Sequence, residues 1–188
     1  TSIKSERWNP GRTGDRPIGL PSHLHNQPVR TMVSKKVENA LNAQVEKEAM
    51  SSQVYLAMAS WAEVQGLEGV AQFLYRHSDE ERMHTLKLMH YINERGGHAV
   101  VPALPAPARK MKNVMDVFKS ILQQEVEVSQ DINAIVDLCL KEKDYTTHNF
   151  MQWYVAEQIE EERLARTMLD KLNMIGDDKG GLYLFDRD

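Results

Sequence analysis

The sequence predicts an all-α chain: a bundle of four long helices with one long crossover connection, and a short fifth helix at the C-terminus. Three features carry this expectation. Four stretches of about 30 residues place apolar side chains at the 3.6-residue helical spacing. Glycine, proline and capping residues punctuate the chain between them. The connections run short, long, short.

Ser34 is the expected N-cap of the first helix, which runs to about Val64 with Val37, Leu41, Val45, Leu56 and Ala59 on its apolar stripe. Gln65-Gly66-Leu67-Glu68-Gly69 turns the chain. The second helix extends to Arg95 with Val70, Leu74, Leu88 and Ile92 inward, and Gly96-Gly97 stops it. Pro102, Pro105 and Pro107 keep the next segment, to about Asn113, from being helical throughout. The third helix spans about Val114 to Lys143, with Phe118, Ile121, Val128, Ile132 and Ile135 in phase. Asp144 is expected to cap the fourth, which runs from Tyr145 to about Ile175 and turns Met151, Tyr154, Ala165, Met168 and Leu172 inward. Gly180-Gly181 then leads to a last short apolar piece, Leu182-Tyr183-Leu184-Phe185.

Connection length sets the topology. The short turns force antiparallel pairs, whereas the segment of about 17 residues between the second and third helices reaches roughly 55 Å when extended. A helix of about 30 residues is roughly 45 Å long. The crossover therefore runs back along the bundle and joins two antiparallel pairs.

At 188 residues the chain suits one core-forming domain, and no apolar run approaches bilayer length, so no membrane partner is expected. Lys plus Arg number 23 against 27 Asp plus Glu, which gives no electrostatic case for nucleic acid. Cys139 is the only cysteine, so neither an internal disulfide nor a Cys-rich metal site can be built. That fits a reducing compartment, and a cytoplasmic location is expected.

Residues 1–31 are different material. Pro10, Gly11, Gly14, Pro17, Gly19, Pro21 and Pro28 interrupt them, apolar periodicity is nearly absent, and they carry a net charge of +3 against −7 for the remainder. They read as an extended or disordered arm without the apolar stretch of a secretory signal. Met32 reads as a former start and the arm as an appendage; His23 and His25 within it are expected to be loop residues. The expected domains are the arm, 1–31, and the bundle, 32–188.

Charge inside the apolar stripes is the informative anomaly. Glu48 has Leu41 and Tyr55 seven residues to either side, Glu81 has Leu74 and Leu88, Glu125 has Phe118 and Ile132, and Glu161 has Tyr154 and Met168. All these flanks are core types, so the four acids point inward. The two halves also echo each other, with Glu81 33 residues after Glu48 and Glu161 36 after Glu125. A buried carboxylate is costly unless paired or bound to a cation. Four of them, one per helix, carry a charge that two divalent ions would neutralise. His84 stands three residues after Glu81, the helical spacing at which two side chains grip one ion. Oxygen donors with one imidazole suit iron(II) or manganese better than structural zinc, and iron is the sharper expectation. Tyr55 lies one heptad after Glu48, and a buried phenol needs a hydrogen-bond partner, either a ligand carboxylate or another core group. Gln158 shares the face of Glu161, three residues away, where it could bind an ion or a bridging oxygen. Trp153 and Cys139 read as packing.

Residues 32–188 resemble a bacterial non-haem ferritin over essentially their full length. The matching text is Ser51-Ser52 with Tyr55, Arg76-His77 leading into Glu80-Glu81-Arg82-Met83-His84, Asn149-Phe150-Met151-Gln152-Trp153-Tyr154-Val155, Glu157-Gln158-Ile159-Glu160-Glu161-Glu162 and Gly181-Leu182-Tyr183. The resemblance implies a ferritin-like four-helix bundle. It also implies a first iron site of Glu48, Glu81 and His84 and a second of Glu81, Glu125 and Glu161, with Glu81 bridging and Gln158 and Tyr55 close by. A third, more loosely held position toward a cavity matches Glu80, Glu157 and Glu160; on the residues alone these three equally read as an exposed acidic face.

The chain departs from sister families. Where bacterioferritins carry a second Glu-x-x-His, it has Gln158 and Glu161, and where they carry a haem-binding Met it has Arg82, so no haem is expected. Rubrerythrins need a four-cysteine iron domain that Cys139 alone cannot supply. The implied function is iron storage and detoxification. Iron(II) would be oxidised at the di-iron site by dioxygen or hydrogen peroxide, and ferric oxyhydroxide mineral laid down inside a homo-oligomeric shell of 24 subunits, with Leu182 to Phe185 as the short fifth helix. A competing reading is a cage used as a scaffold that displays or docks the arm. Another is a small di-iron oxygenase, against which the missing second imidazole counts.

Overall fold

Capping chemistry places the helix ends where the sequence puts them. In a computed structural model of the chain, which describes residues 32–107 and 111–187, α1 spans Lys35–Val64, α2 Glu68–Glu94, α3 Val114–Glu142, α4 Tyr145–Ile175 and α5 Lys179–Arg187. The arm, with His23 and His25, lies outside the described residues. Among the described residues there is no strand, and no helix is long and apolar enough to cross a membrane.

Ser34 Oγ accepts from Val37 N at 3.3 Å, Asn113 Oδ1 from Asp116 N at 2.8 Å and Asp144 Oδ1 from Thr147 N at 3.0 Å, each satisfying an otherwise orphaned donor of a first helical turn. Gly66, Gly96 and Gly176 take positive φ just past the ends of α1, α2 and α4, as helix-terminating glycines do. α2 has no capping side chain of its own, since Leu67 occupies its N-cap. The missing acceptor comes from the far end of the chain: Asp186 Oδ1, on α5, accepts from Val70 N at 2.9 Å. Gly69 permits that approach, because a Cβ there would overlap the Asp186 carbonyl.

The pairing follows the expected topology. α1 packs on α2, α3 on α4 and α1 on α3, while α5 rests on α2 and α4. Lys36 meets Glu142 at 2.9 Å and Tyr55 meets Glu125 at 2.9 Å, so α1 and α3 run antiparallel. Phe73, early in α2, lies against Phe118, early in α3, which makes these two helices parallel. The α2–α3 connection must therefore return along the bundle. Glu38 Oε1 accepts from His98 N and Asn42 Oδ1 from Val100 N, fastening the start of that crossover to α1.

Two apolar clusters fill the bundle. One gathers Leu41, Val45, Leu88, Ile92, Val128, Ile132 and Tyr154; the other gathers Met58, Ala62, Leu74, Phe118, Ile121 and Leu172. The inward acids lie between them along each helix. The expected stripe of α1 needs one correction, because Leu56 is exposed. The buried face follows Leu41, Glu48, Tyr55 and Ala62, and Leu56 stands one residue past Tyr55, about 100° round the helix. Met168 is only half-buried against the second cluster. Cys139 packs in the first, where burial pushes its thiol up to about 11 and leaves it inert.

Candidate metal centre

Each of the four long helices brings polar groups to the layer between the apolar clusters. Glu48 on α1, Glu81 and His84 on α2, Glu125 on α3 and Gln158 on α4 are all buried. Glu161, also on α4, keeps only a thin edge toward solvent, with its side chain 13% exposed. The heptad argument thus places every expected core acid on the bundle interior.

Glu48, Glu81 and His84 come together tightly enough for one ion: their ligand atoms all lie within 4.8 Å of one another. His84 Nδ1 stands 3.5 Å from Glu81 Oε2 and 3.8 Å from Glu48 Oε2. Gln44, one turn before Glu48, donates to Glu48 Oε1 at 2.8 Å and fixes that carboxylate. Tyr154 donates its phenol to the His84 carbonyl at 2.8 Å, and Trp153 meets the imidazole edge-on with ring centroids 5.2 Å apart. Trp153 therefore does pack, but against a candidate ligand.

Glu125 faces the same layer from α3. Tyr55 donates to its Oε1 at 2.9 Å, and Gln158 Nε2 donates to its Oε2 at 3.2 Å and to its backbone carbonyl at 3.1 Å. The phenol's partner, left open by the sequence, is thus a carboxylate of the cluster.

The electrostatics are those of anions crowded in a dry space. Burial pushes Glu81 well above the usual carboxylate range, and repulsion from Glu48 and Glu125 adds to it against the opposing pull of His84. Burial raises Glu125 too, and it raises Glu161 to about 7 with help from Glu125, Glu80 and Glu157. Burial alone would lower His84, yet Glu48 and Glu81 hold its imidazolium up to about 10. Glu81 Oε2 is buried with no hydrogen-bond partner. An orphaned carboxylate oxygen at the middle of the cluster is what a bound cation would satisfy.

A second group lies toward the α2–α4 side, where no α2 Cα comes within 8 Å of an α4 Cα. A cleft of about 490 Å³ opens there, lined by His77, Glu80, Glu157, Glu160 and Glu161 among others. Three residues close on one point: His77 Nε2 is 3.8 Å from Glu80 Oε2 and 3.9 Å from Glu161 Oε2. The expected cavity-side trio of Glu80, Glu157 and Glu160 lines the cleft, but Glu160 is exposed and turns to Arg163 at 3.7 Å. His77 is a group that sequence reasoning did not single out. Its signal was its place one heptad before His84 and three residues before Glu80.

Comparisons with known proteins point to one family. A sequence profile for the ferritin-like domain matches residues 38–175. The chain is 45% identical over 157 residues, 84% of its length and 95% of the relative's, to a Haemophilus influenzae protein named probable bacterial non-heme ferritin-like protein. It is 41% identical over 156 residues to the bacterial non-heme ferritin of Campylobacter jejuni, covering 83% and 93% of the two chains. Among solved structures, an open pore ferritin from the archaeon Archaeoglobus fulgidus superposes with a TM-score of 0.82 at 37% identity, over 84% of this chain and 96% of that one.

Proposed function

The chain belongs to the ferritin family, and from that premise we propose that it binds iron(II) within the bundle, oxidises it there and stores the ferric product. The observation that carries the reading is the buried trio of Glu48, Glu81 and His84 around a Glu81 oxygen that accepts no hydrogen bond. Its oxygen-rich donor set with one imidazole suits iron(II), and hard carboxylates favour iron(III) once it forms.

In this reading iron is the substrate. Glu48 and His84 hold one ion, Glu125 and Glu161 the other, and Glu81 lies between them. Gln44 and Tyr55 keep the outer carboxylates in place by hydrogen bonds. Each iron(II) gives up one electron; dioxygen takes two electrons and two protons and leaves as hydrogen peroxide, or hydrogen peroxide takes the same and leaves as two waters. The cleft beside His77, Glu80, Glu157 and Glu160 is the exit for iron(III), where partly exposed acids exchange ions faster than the dry layer does. The shell of 24 subunits belongs to the same proposal, supported by bare apolar side chains such as Val64, Val101, Met174 and Tyr183 that a neighbouring copy would cover. A cytoplasmic setting suits a single buried thiol.

Adding iron(II) without air and then admitting air tests the reading. Ferric absorbance should appear at least about tenfold faster than in buffer, and the native mass should be that of a multi-subunit shell. A rate equal to buffer would contradict the oxidation step.

A further inference from the structure

Gln158 is the one amide side chain that meets Glu125, and an amide can present either its oxygen or its NH₂ to a neighbour. Its orientation is decided by its surroundings. Nε2 points at two atoms of Glu125 that only accept, the carbonyl oxygen at 3.1 Å and Oε2 at 3.2 Å, and at Ser129 Oγ at 3.4 Å. A serine hydroxyl can donate as well as accept, so Ser129 could in principle turn the amide round. It cannot do so here, because its single hydrogen is taken: Ser129 Oγ donates to Glu162 Oε1 at 2.6 Å. Glu162 is itself held by Arg166, whose Nη1 donates to Oε2 at 2.8 Å. Donation therefore starts at the Gln158 amide, which gives to both Glu125 and Ser129, and ends at Glu162, which accepts from Ser129 and Arg166. No donor among the described residues meets Gln158 Oε1 in a hydrogen bond.

We infer that Ser129, aligned by Glu162, is a positioning residue for one of the two metal positions: it locks the Gln158 amide with its carbonyl oxygen free to face a cation and its NH₂ holding Glu125. The inference rests on the di-iron reading above. Ser129 and Glu162 touch no iron themselves. They act through Gln158, at the depth where outer partners of metal ligands usually change affinity or activity by about 10- to 100-fold. Ser129 is half-buried on α3, and alanine there favours the helix, so folding is retained in the test.

Calorimetric titration of the metal-free full chain with cobalt(II), which does not need the oxidation step, reads the effect. The wild type should take up two ions per chain, both lost or weakened in Glu81→Ala. Ser129→Ala should weaken one of the two by about tenfold and leave the other unchanged, while Ser129→Thr, which keeps the hydroxyl, should restore it. In a Gln158→Ala background the Ser129→Ala change should cost nothing further. Undiminished binding of both ions by Ser129→Ala, or an equal loss with and without Gln158, would overturn the inference while leaving the di-iron reading intact. A wild type that binds no cobalt(II) at Glu81-dependent positions would take down both.

Discussion

Glu81→Ala should slow iron(II) oxidation by about 100-fold or more, against less than about twofold for Glu160→Ala. Removing an outer hydrogen-bond partner of a metal ligand already costs about 10- to 100-fold, and Glu81 is assigned to both metal positions at once. Glu160 is exposed and paired to Arg163, so its loss leaves the dry layer intact. Initial rates of ferric absorbance in the two variants measure the contrast. The same pair separates chemistry from folding. Glu81 is a desolvated acid whose attraction to His84 is offset by burial and by repulsion from Glu48 and Glu125, so truncating it should leave the unfolding midpoint of the metal-free protein little changed. Equal slowing in both variants would mean that the core and cavity-side roles are assigned to the wrong residues.

The second large effect is on stability against pH. Glu81, Glu125 and Glu161 are all raised on folding, so the stability they contribute is complete below the unfolded carboxylate value and is lost as pH climbs through the folded values, about 7 for Glu161. His84, raised to about 10, contributes stability that is complete below its ordinary value of 6.5 and is lost as pH rises toward 10. The carboxylates lowered on folding, Glu38, Asp144 and Glu162, lose their contribution only at acid pH, below this window. Metal-free protein should therefore unfold at progressively lower temperature from pH 5.5 to pH 9. Glu161 alone accounts for about 2 kcal/mol of that decline. Manganese(II), which binds oxygen donors by displacing protons, should flatten or reverse the slope. Glu161→Gln should remove part of it without metal. Calorimetric scans of the three samples across that range check the prediction; a metal-free midpoint that rises with pH would contradict the burial of these acids.

Much of this arrangement was legible in the sequence because helical geometry is local. Ser34, Asn113 and Asp144 each accept a hydrogen bond from the backbone three residues on, so the helix ends could be read within a turn. The seven-residue flanks of Glu48, Glu81 and Glu125 reported burial correctly, since a heptad returns within about 20° of the same face. Leu56 misled because it is apolar yet stands beside Tyr55, which holds the centre of the face and leaves its neighbour outside it. What stayed hidden depends on contacts between distant segments. Asp186 caps a helix 116 residues earlier, and nothing near Leu67 announces it. Ser129 and Glu162 lie 33 residues apart on different helices and become one hydrogen bond only when α3 and α4 pair. His77 faces Glu161 across the α2–α4 cleft, and the width of that cleft is not written in either helix.

Crystals soaked with iron(II) under anaerobic conditions and measured at the iron absorption edge test the central claim most directly. The account predicts two anomalous peaks inside each bundle, one within bonding distance of Glu48, Glu81 and His84 and the other of Glu81, Glu125 and Glu161. Peaks confined to the outer acids, with the interior carboxylates free of metal, would contradict it.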